Sequence, residues 1–506
     1  MPEAQTQPER HRIESKLFLW IVLAASAILR IALAAHELPN GLFDDAYVTL
    51  RYAANLIKGL GLVFNPGERV MGTTSPLFTF ILAAFGKLFG PSHIELIALA
   101  VGILASVGTL FFCERSLRAV GIPALVKWTF LTVLAFVPSF ISNSTSGMET
   151  PLVVFLMSIS LYLFITDRLM ALSAIGFLLF LGRVDTGLWL LALAIELLFA
   201  RRQKGIGELI RPLILFCGLL FAWLAFLKIY FGSIVPQSVV GKAVSHGAFM
   251  LPDWNYTLTL LSAFVPAQRF GVWGLVVIAV VFAALIPAAI DLWKIYPKLR
   301  PILYFFLLYV GAFLAARAPL FSWYLIPPKW AFYLIAVYAI WRLLSSNTLQ
   351  RLIPLKPRYA MAVIAVMLFV AGAHAVAIRR AQSVADNSLG ISKFIEEHLP
   401  PTGSVFLEHI GLIGYRCDCF LYDSMGLVTP ETTRLRKQYG SQWLPKAVRE
   451  YHADIVILYD ADLPLMRSQD DDAVWFQRNY SAMREFQLGY VSATVYFKND
   501  SALIRR

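Results

Sequence analysis

Residues 41–76 read GLFDDAYVTLRYAANLIKGLGLVFNPGERVMGTTSP. Two adjacent carboxylates, an arginine, an asparagine, a glutamate and several glycines stand here, just after an apolar run long enough to cross a bilayer. From Asp44 the stretch has helical character. Positions 44, 48, 51, 55 and 58 share one face, and Gly59-Leu60-Gly61 supplies a stop. Asp44 or Asp45 then sits at a helix N-terminus, where the dipole favours the ionised form, with Arg51 two turns along the same face. An N-cap with one solvated face accounts for the carboxylates taken alone. A polar site at a membrane boundary also accounts for the Gly-rich and Thr-rich loop behind them.

The rest of the chain establishes that boundary. Of 506 residues, 58% are hydrophobic, and the mean hydropathy is +0.65. Charged residues make up 15%, against roughly 25% in soluble globular proteins. Several apolar runs reach the length of about 18 residues that a hydrocarbon core of ~30 Å demands. The fold class is a polytopic α-helical membrane protein. The net charge of +12 collects in short connections between apolar runs, which is the positive-inside pattern and not a nucleic-acid surface. The leading MPEAQTQPERHRIESK is polar, and the apolar run from Leu17 is too long for a cleaved signal core, so it reads as a retained signal anchor. Cys417 and Cys419 are one residue apart, a spacing at which a mutual disulfide is strained. No C-x-x-C spacing occurs, so cysteine chemistry is not expected to be the function.

About eleven spans are expected, near 17–37, 93–112, 126–142, 150–166, 169–184, 186–200, 212–231, 271–291, 302–318, 323–343 and 359–378. The stretch 169–200 reads as two short helices or one broken one, its halves meeting at Arg183 and Asp185. Alternating loop charge places the N-terminus in the cytoplasm and four charge-poor connections, 38–92, 143–149, 232–270 and 317–322, on the outer side of a bacterial inner membrane. Residues 1–382 are expected to form the membrane domain, with 38–92 as the outer-face loop that carries the candidate site. Residues 383–506 form a small α/β domain on the outer face, in which ISKFIEEHL reads as a helix and GSVFLEHIG, ADIVILYD and YVSATVYFK as strands.

Polar groups at membrane level are costly, so each marks a functional candidate. Glu149 opens a span, Arg183 and Asp185 lie in GRVDTG, and Lys242 lies in FGSIVPQSVVGKA, all on the side of Asp44. Taken singly, Arg183 and Lys242 read as snorkelling end residues; their convergence on one side favours a site. Trp323 and Tyr324 read as an interfacial aromatic belt, and His374 as a polar residue at the end of the last span.

The stretch DDAYVTLRYAANLIKGLGLVFNPGERVMGTTSPL resembles the first periplasmic loop of the GT-C glycosyltransferases, above all the mycobacterial terminal arabinofuranosyltransferases. SGMETPL, GRVDTG, YFGSIVPQSVVGKA and IGYRCDCFLYDSMGLVTP resemble further blocks of that group, in the same order along nearly the whole chain. Val184, Gln237 and Met71 depart from its pattern, which usually has Pro, Asn and an acidic residue there.

The resemblance implies an inverting membrane glycosyltransferase. It would move a sugar, arabinofuranose in that group, from a polyprenyl-phosphate donor to a hydroxyl of a cell-envelope glycan. One Asp of the pair, Asp44 first, is expected to take the hydroxyl proton. Its neighbour is expected to orient it or to share a divalent ion, Mg, Mn or Ca, which this chemistry admits without requiring. Arg51, Arg183 and Lys242 are expected to hold the donor phosphate. Tyr47, Asn55, Glu68, Glu149, Asp185, His409 and Asp423 are assigned to sugar or acceptor, with the segment around Glu408, Tyr415 and Ser424 closing over the site.

The expected partners are the lipid donor, a glycan, lipid or protein acceptor and the bilayer, with no nucleic acid. Other lipid-phosphate sugars (mannose, glucose or aminoarabinose) fit the residues equally. A flippase would place its charges mid-membrane and show pseudo-symmetry between halves, and the sequence has neither. A receptor or scaffold leaves the 41–76 loop unexplained.

Overall fold

A computed structural model describes residues 7–201, 207–245, 254–265, 267, 272–347, 388–488 and 491–504, with isolated positions between 366 and 372. The expected span 359–378, with His374, lies largely outside the described residues. The N-terminal part is helical: α1 (Gln7–Glu37), α2 (Asp44–Ile57), α3 (Pro76–Phe89), α4 (Ile94–Ala119), α5 (Ala124–Phe136), α6 (Pro138–Ser144), α7 (Thr150–Ile165) and α8 (Leu169–Gly182). It continues through α9 (Gly187–Arg201), α10 (Gly207–Phe231), α11 (Gln237–Ser245), α12 (Trp254–Ser262), α13 (Val272–Ile295), α14 (Arg300–Ala316) and α15 (Ile326–Leu344).

Five of these helices are long and apolar enough to cross a membrane, or six when α5 and α6, bent by 53°, count as one span. Of the other expected spans, α7 and α8 are shorter apolar helices, α9 and α15 form as helices of 15 and 19 residues that fall outside both groups, and 359–378 lies largely outside the described residues. Residues 169–200 form two helices parted by a short turn at Val184–Thr186. Fully buried Arg30 of α1 donates to the Ala135 and Leu134 carbonyls. It thereby satisfies acceptors orphaned where α5 ends ahead of the bend.

The C-terminal part carries a five-stranded sheet in the order β2-β1-β3-β5-β4, made of β1 (Ser404–Leu407), β2 (Phe420–Asp423), β3 (Ile455–Tyr459), β4 (Tyr480–Leu488) and β5 (Val491–Lys498). β1 runs parallel to β2 and β3, whereas β5 is antiparallel to β3 and β4. Helix α16 (Ser388–His398) precedes the sheet, and α17 (Ile410–Cys417) is the crossover between β1 and β2. The three strands read from the sequence form as β1, β3 and β5, and β2 and β4 join them without having been singled out there. β3, the central strand of this mixed sheet, is buried along its whole length.

Helix α2 is the seam between the two parts. Ala46, Tyr47, Leu50 and Ala53, spaced one helical turn apart, join the core of the helical part. Val48 and Tyr52 join Leu62, Phe64 and the strand residues of the sheet core. Cys417 and Cys419 are joined in a disulfide. Their spacing argued against it, but Asp418 between them takes a left-handed conformation (φ 54°) that ends α17 and brings the two Cα atoms to 5.2 Å.

Candidate active site

The stretch 41–76 wraps one wall of a small cleft lined by polar and aromatic side chains. Asp45 and Thr49 come from α2, Thr73 and Ser75 from the loop before α3, Glu149 from the head of α7, and Lys242 from α11. Trp323 and Tyr324 close the far side, and Leu427 reaches in from the loop after β2.

At its centre Lys242 Nζ lies 3.7 Å from Asp45 Oδ2. The rings of Phe321, Trp323 and Tyr324 stand 5.1–5.8 Å from the same nitrogen, in cation–π range. Burial tends to neutralise this lysine, but Tyr324 and Asp45 outweigh it and its pKa is raised. Glu149, 6% exposed, lies 3.9 Å from Arg183. Burial raises its pKa, and the guanidinium pulls it partly back. Thr49, Thr73 and Ser75 hold their hydroxyl oxygens 3.4–3.5 Å apart. The buried Ser238 hydroxyl, also lining the cleft, has no hydrogen-bond partner among the described residues. A buried, unsatisfied hydroxyl is costly and marks a place where a ligand or water is accepted.

The two aspartates part company. Asp45 faces the cleft, whereas the Asp44 carboxylate accepts the Leu412 N–H at 2.8 Å and the Gly411 N–H at 3.2 Å. These are orphan donors at the N-terminus of α17, where an anion is favoured. Burial raises the Asp44 pKa, opposed by the Leu412 N–H and by His409. The pair therefore does not converge as a divalent-metal donor set: one carboxylate is taken by a helix terminus, the other by a lysine. Among the described residues no group of three His, Cys, Asp or Glu could hold a metal ion.

Arg183 and Asp185 support the aromatic wall from behind. The Arg183 guanidinium binds both Asp185 oxygens at 2.9 and 2.5 Å and also donates to the Trp323 carbonyl at 3.2 Å. Tyr309 bonds Asp185 and the Tyr324 carbonyl, each at 2.7 Å. Nothing in the sequence around Tyr309, deep in α14, singles it out.

Several expected residues stand away from the cleft. Arg51, a phosphate-binding candidate, is 3% exposed and spends its donors on the carbonyls of Phe64 (2.9 Å), Gly414 (2.5 Å) and Cys419 (2.7 Å). It clamps α2 to the C-terminal part. Asn55 ties down the Val63 and Phe64 carbonyls. The Tyr47 hydroxyl accepts the Leu42 N–H. Glu68 is exposed and accepts from Asn65, and exposed His409 stands edge-on to Tyr459. Asp423 is 0% exposed beneath its own loop. Lys242, Glu149 and Asp45 are the expected residues that the structure brings together in the cleft lining. The hydroxyl trio lay in the Thr-rich GTTSP run, whose polarity at a membrane boundary was its signal.

A family described as a domain of unknown function (DUF8728) matches residues 376–502. Over 250 residues the chain is 30% identical to the terminal beta-(1->2)-arabinofuranosyltransferase of Mycobacterium tuberculosis. That match takes in 45% of this chain and 38% of the relative, so it spans well under half the relative's length. Among solved structures, ArnT from Cupriavidus metallidurans superposes with a TM-score of 0.57, over 95% of this chain and 97% of ArnT, at 12% identity. The Archaeoglobus fulgidus oligosaccharyltransferase does so with 0.54, over 96% and 75%, also at 12% identity. Likeness at that identity speaks to architecture. The chain is a helical membrane protein with the GT-C fold.

Proposed function

We propose that the protein is an integral membrane glycosyltransferase that takes a sugar from a polyprenyl-phosphate donor and passes it, with inversion, to an acceptor hydroxyl. The cleft opens on the outer face of a bacterial inner membrane. The observation that carries this reading is the Asp45–Lys242 pair in a cleft walled by hydroxyls, aromatic rings and a buried glutamate. A lysine supplies what a departing phosphate needs, and the carboxylate beside it supplies what an attacking hydroxyl needs.

In the reaction, the acceptor oxygen bonds to the anomeric carbon as the bond from that carbon to the phosphate oxygen breaks. Asp45 takes the hydroxyl proton, and the leaving oxygen carries the electron pair away towards Lys242. Asp44 orients its neighbour by fixing the first turn of α2 on α17. Glu149 and the trio Thr49, Thr73 and Ser75 receive sugar hydroxyls. No step requires a metal.

The identity with the arabinofuranosyltransferase supports arabinofuranose as the donor sugar and a cell-envelope glycan as the acceptor. A panel of radiolabelled polyprenyl-phosphate sugars, offered to the purified protein with glycan acceptors, tests both. The proposal expects consumption of the arabinofuranosyl donor. Vectorial movement of a lipid-linked sugar with no turnover contradicts it.

A further inference from the structure

Asp423 is fully buried and away from the cleft, yet it is tied to Lys242 through an unbroken set of contacts. Its carboxylate accepts the Met425 N–H at 2.8 Å, the Val428 N–H at 3.0 Å and the Leu427 N–H. Three donors on one side chain fix the whole loop from Ser424 to Val428.

The outward carbonyls of that loop then receive α11. Gln237 Nε2 donates to the Gly426 carbonyl at 2.9 Å and to Thr433 Oγ1 at 2.9 Å. Ser245 donates to the Met425 carbonyl at 3.1 Å. Between them Gly241 lies so close that a Cβ there would meet the Gly426 oxygen at 2.7 Å and the Met425 oxygen at 3.0 Å. A helix of nine residues is thus pinned at its first residue, its middle and its last, and Lys242 is the residue after the closest approach.

We propose that Asp423, Gln237 and Gly241 are positioning residues that act through α11: the buried carboxylate shapes the loop, the loop seats the helix, and the seat sets the Lys242 ammonium in the cleft. The consequence for turnover rests on the reading of Lys242 as the donor-phosphate group. The seating itself does not.

Gly241→Ala tests the relay, read in two ways. The first readout is the acylation rate of Lys242 by an amine-specific ester, followed by mass spectrometry with Lys446, on the far C-terminal part, as the internal reference. The second is the KM for the polyprenyl-phosphate donor against kcat. The expected result is a change of threefold or more in Lys242 acylation with Lys446 unchanged. With it comes a rise in donor KM of about tenfold, the scale of a displacement well under 1 Å, while kcat moves less.

Where Gly241→Ala does not accumulate, Gln237→Ala removes two hydrogen bonds without adding an atom and carries the same test, and Gln237→Glu, which retains an acceptor but loses the donor, is expected to behave like it. Altered acylation with an unchanged donor KM upholds the seating and overturns the phosphate role of Lys242. Unchanged acylation in a folded Gly241→Ala or Gln237→Ala protein overturns the relay.

Discussion

Arg51 and Gly414 meet at 2.5 Å, guanidinium to backbone carbonyl, although one belongs to the first loop helix and the other to the crossover helix of the C-terminal sheet. Two more carbonyls complete the clamp, and the guanidinium packs over Phe64 at 4.4 Å. The position of the cleft follows from this contact at the middle of α2 and from its counterpart at the first residue of the helix, where Asp44 holds the N-terminus of α17.

Replacing Arg51 with methionine keeps the apolar stem and takes the guanidinium from the buried Gly414 and Cys419 carbonyls, while Asn55 still donates to the Phe64 carbonyl. At about 1–3 kcal/mol for each unsatisfied group, the seam loses roughly 2 kcal/mol or more. The expected outcome is a lower thermal midpoint and faster proteolysis between the two parts. A higher donor KM at unchanged stability would instead place the guanidinium on the phosphate.

Gly411 admits nothing larger. A Cβ there would sit 1.8 Å from the Asp44 carbonyl oxygen, so the chain must shift. Gly411→Ala is expected to insert in the membrane yet lose transfer by tenfold or more, as measured in membranes with matched protein levels, since an ångström at the reacting centre can cost about 10²-fold.

The loop helix was legible because its period and its Gly-Leu-Gly stop are local properties, and α2 runs from Asp44 to Ile57 with Gly59 at φ 79°. What covers the face shared by Asp44, Val48, Arg51 and Asn55 was not legible. Its partners, the Gly414 and Cys419 carbonyls and the α17 N-terminus, lie more than 300 positions away and have no side-chain signature. A buried arginine and a phosphate-binding one look alike in sequence. Likewise the apolar segment Pro76–Phe89 was absorbed into a connection because fourteen residues fall short of a bilayer.

Lys242→Met is expected to raise the donor KM by about 10–100-fold, the worth of one charge-assisted contact at roughly 1.5–3 kcal/mol. Lys242→Arg is expected to recover part of it. An unchanged KM in Lys242→Met removes the lysine from phosphate recognition.

Burial pushes the Asp423 carboxyl up to about 6, against the pull of its loop N–H donors and of Arg436. Because the folded value exceeds the unfolded one, its contribution to stability is complete below about pH 4 and declines as pH rises through about 6. The loss amounts to about 3 kcal/mol above that range. Thermal midpoints of wild type and Asp423→Asn between pH 4 and 7.5 check this. The wild type should lose ground to the variant as pH rises, and parallel curves contradict the assignment.

The division of labour within the Asp44–Asp45 pair is the centre of the account, and sugar transfer by Asp45→Asn beside Asp44→Asn measures it most directly. Folded Asp45→Asn should bind donor yet transfer at least about 10²-fold more slowly, as loss of a general base demands. Asp44→Asn should retain measurable transfer at reduced stability. Transfer at the wild-type rate by folded Asp45→Asn would contradict the account.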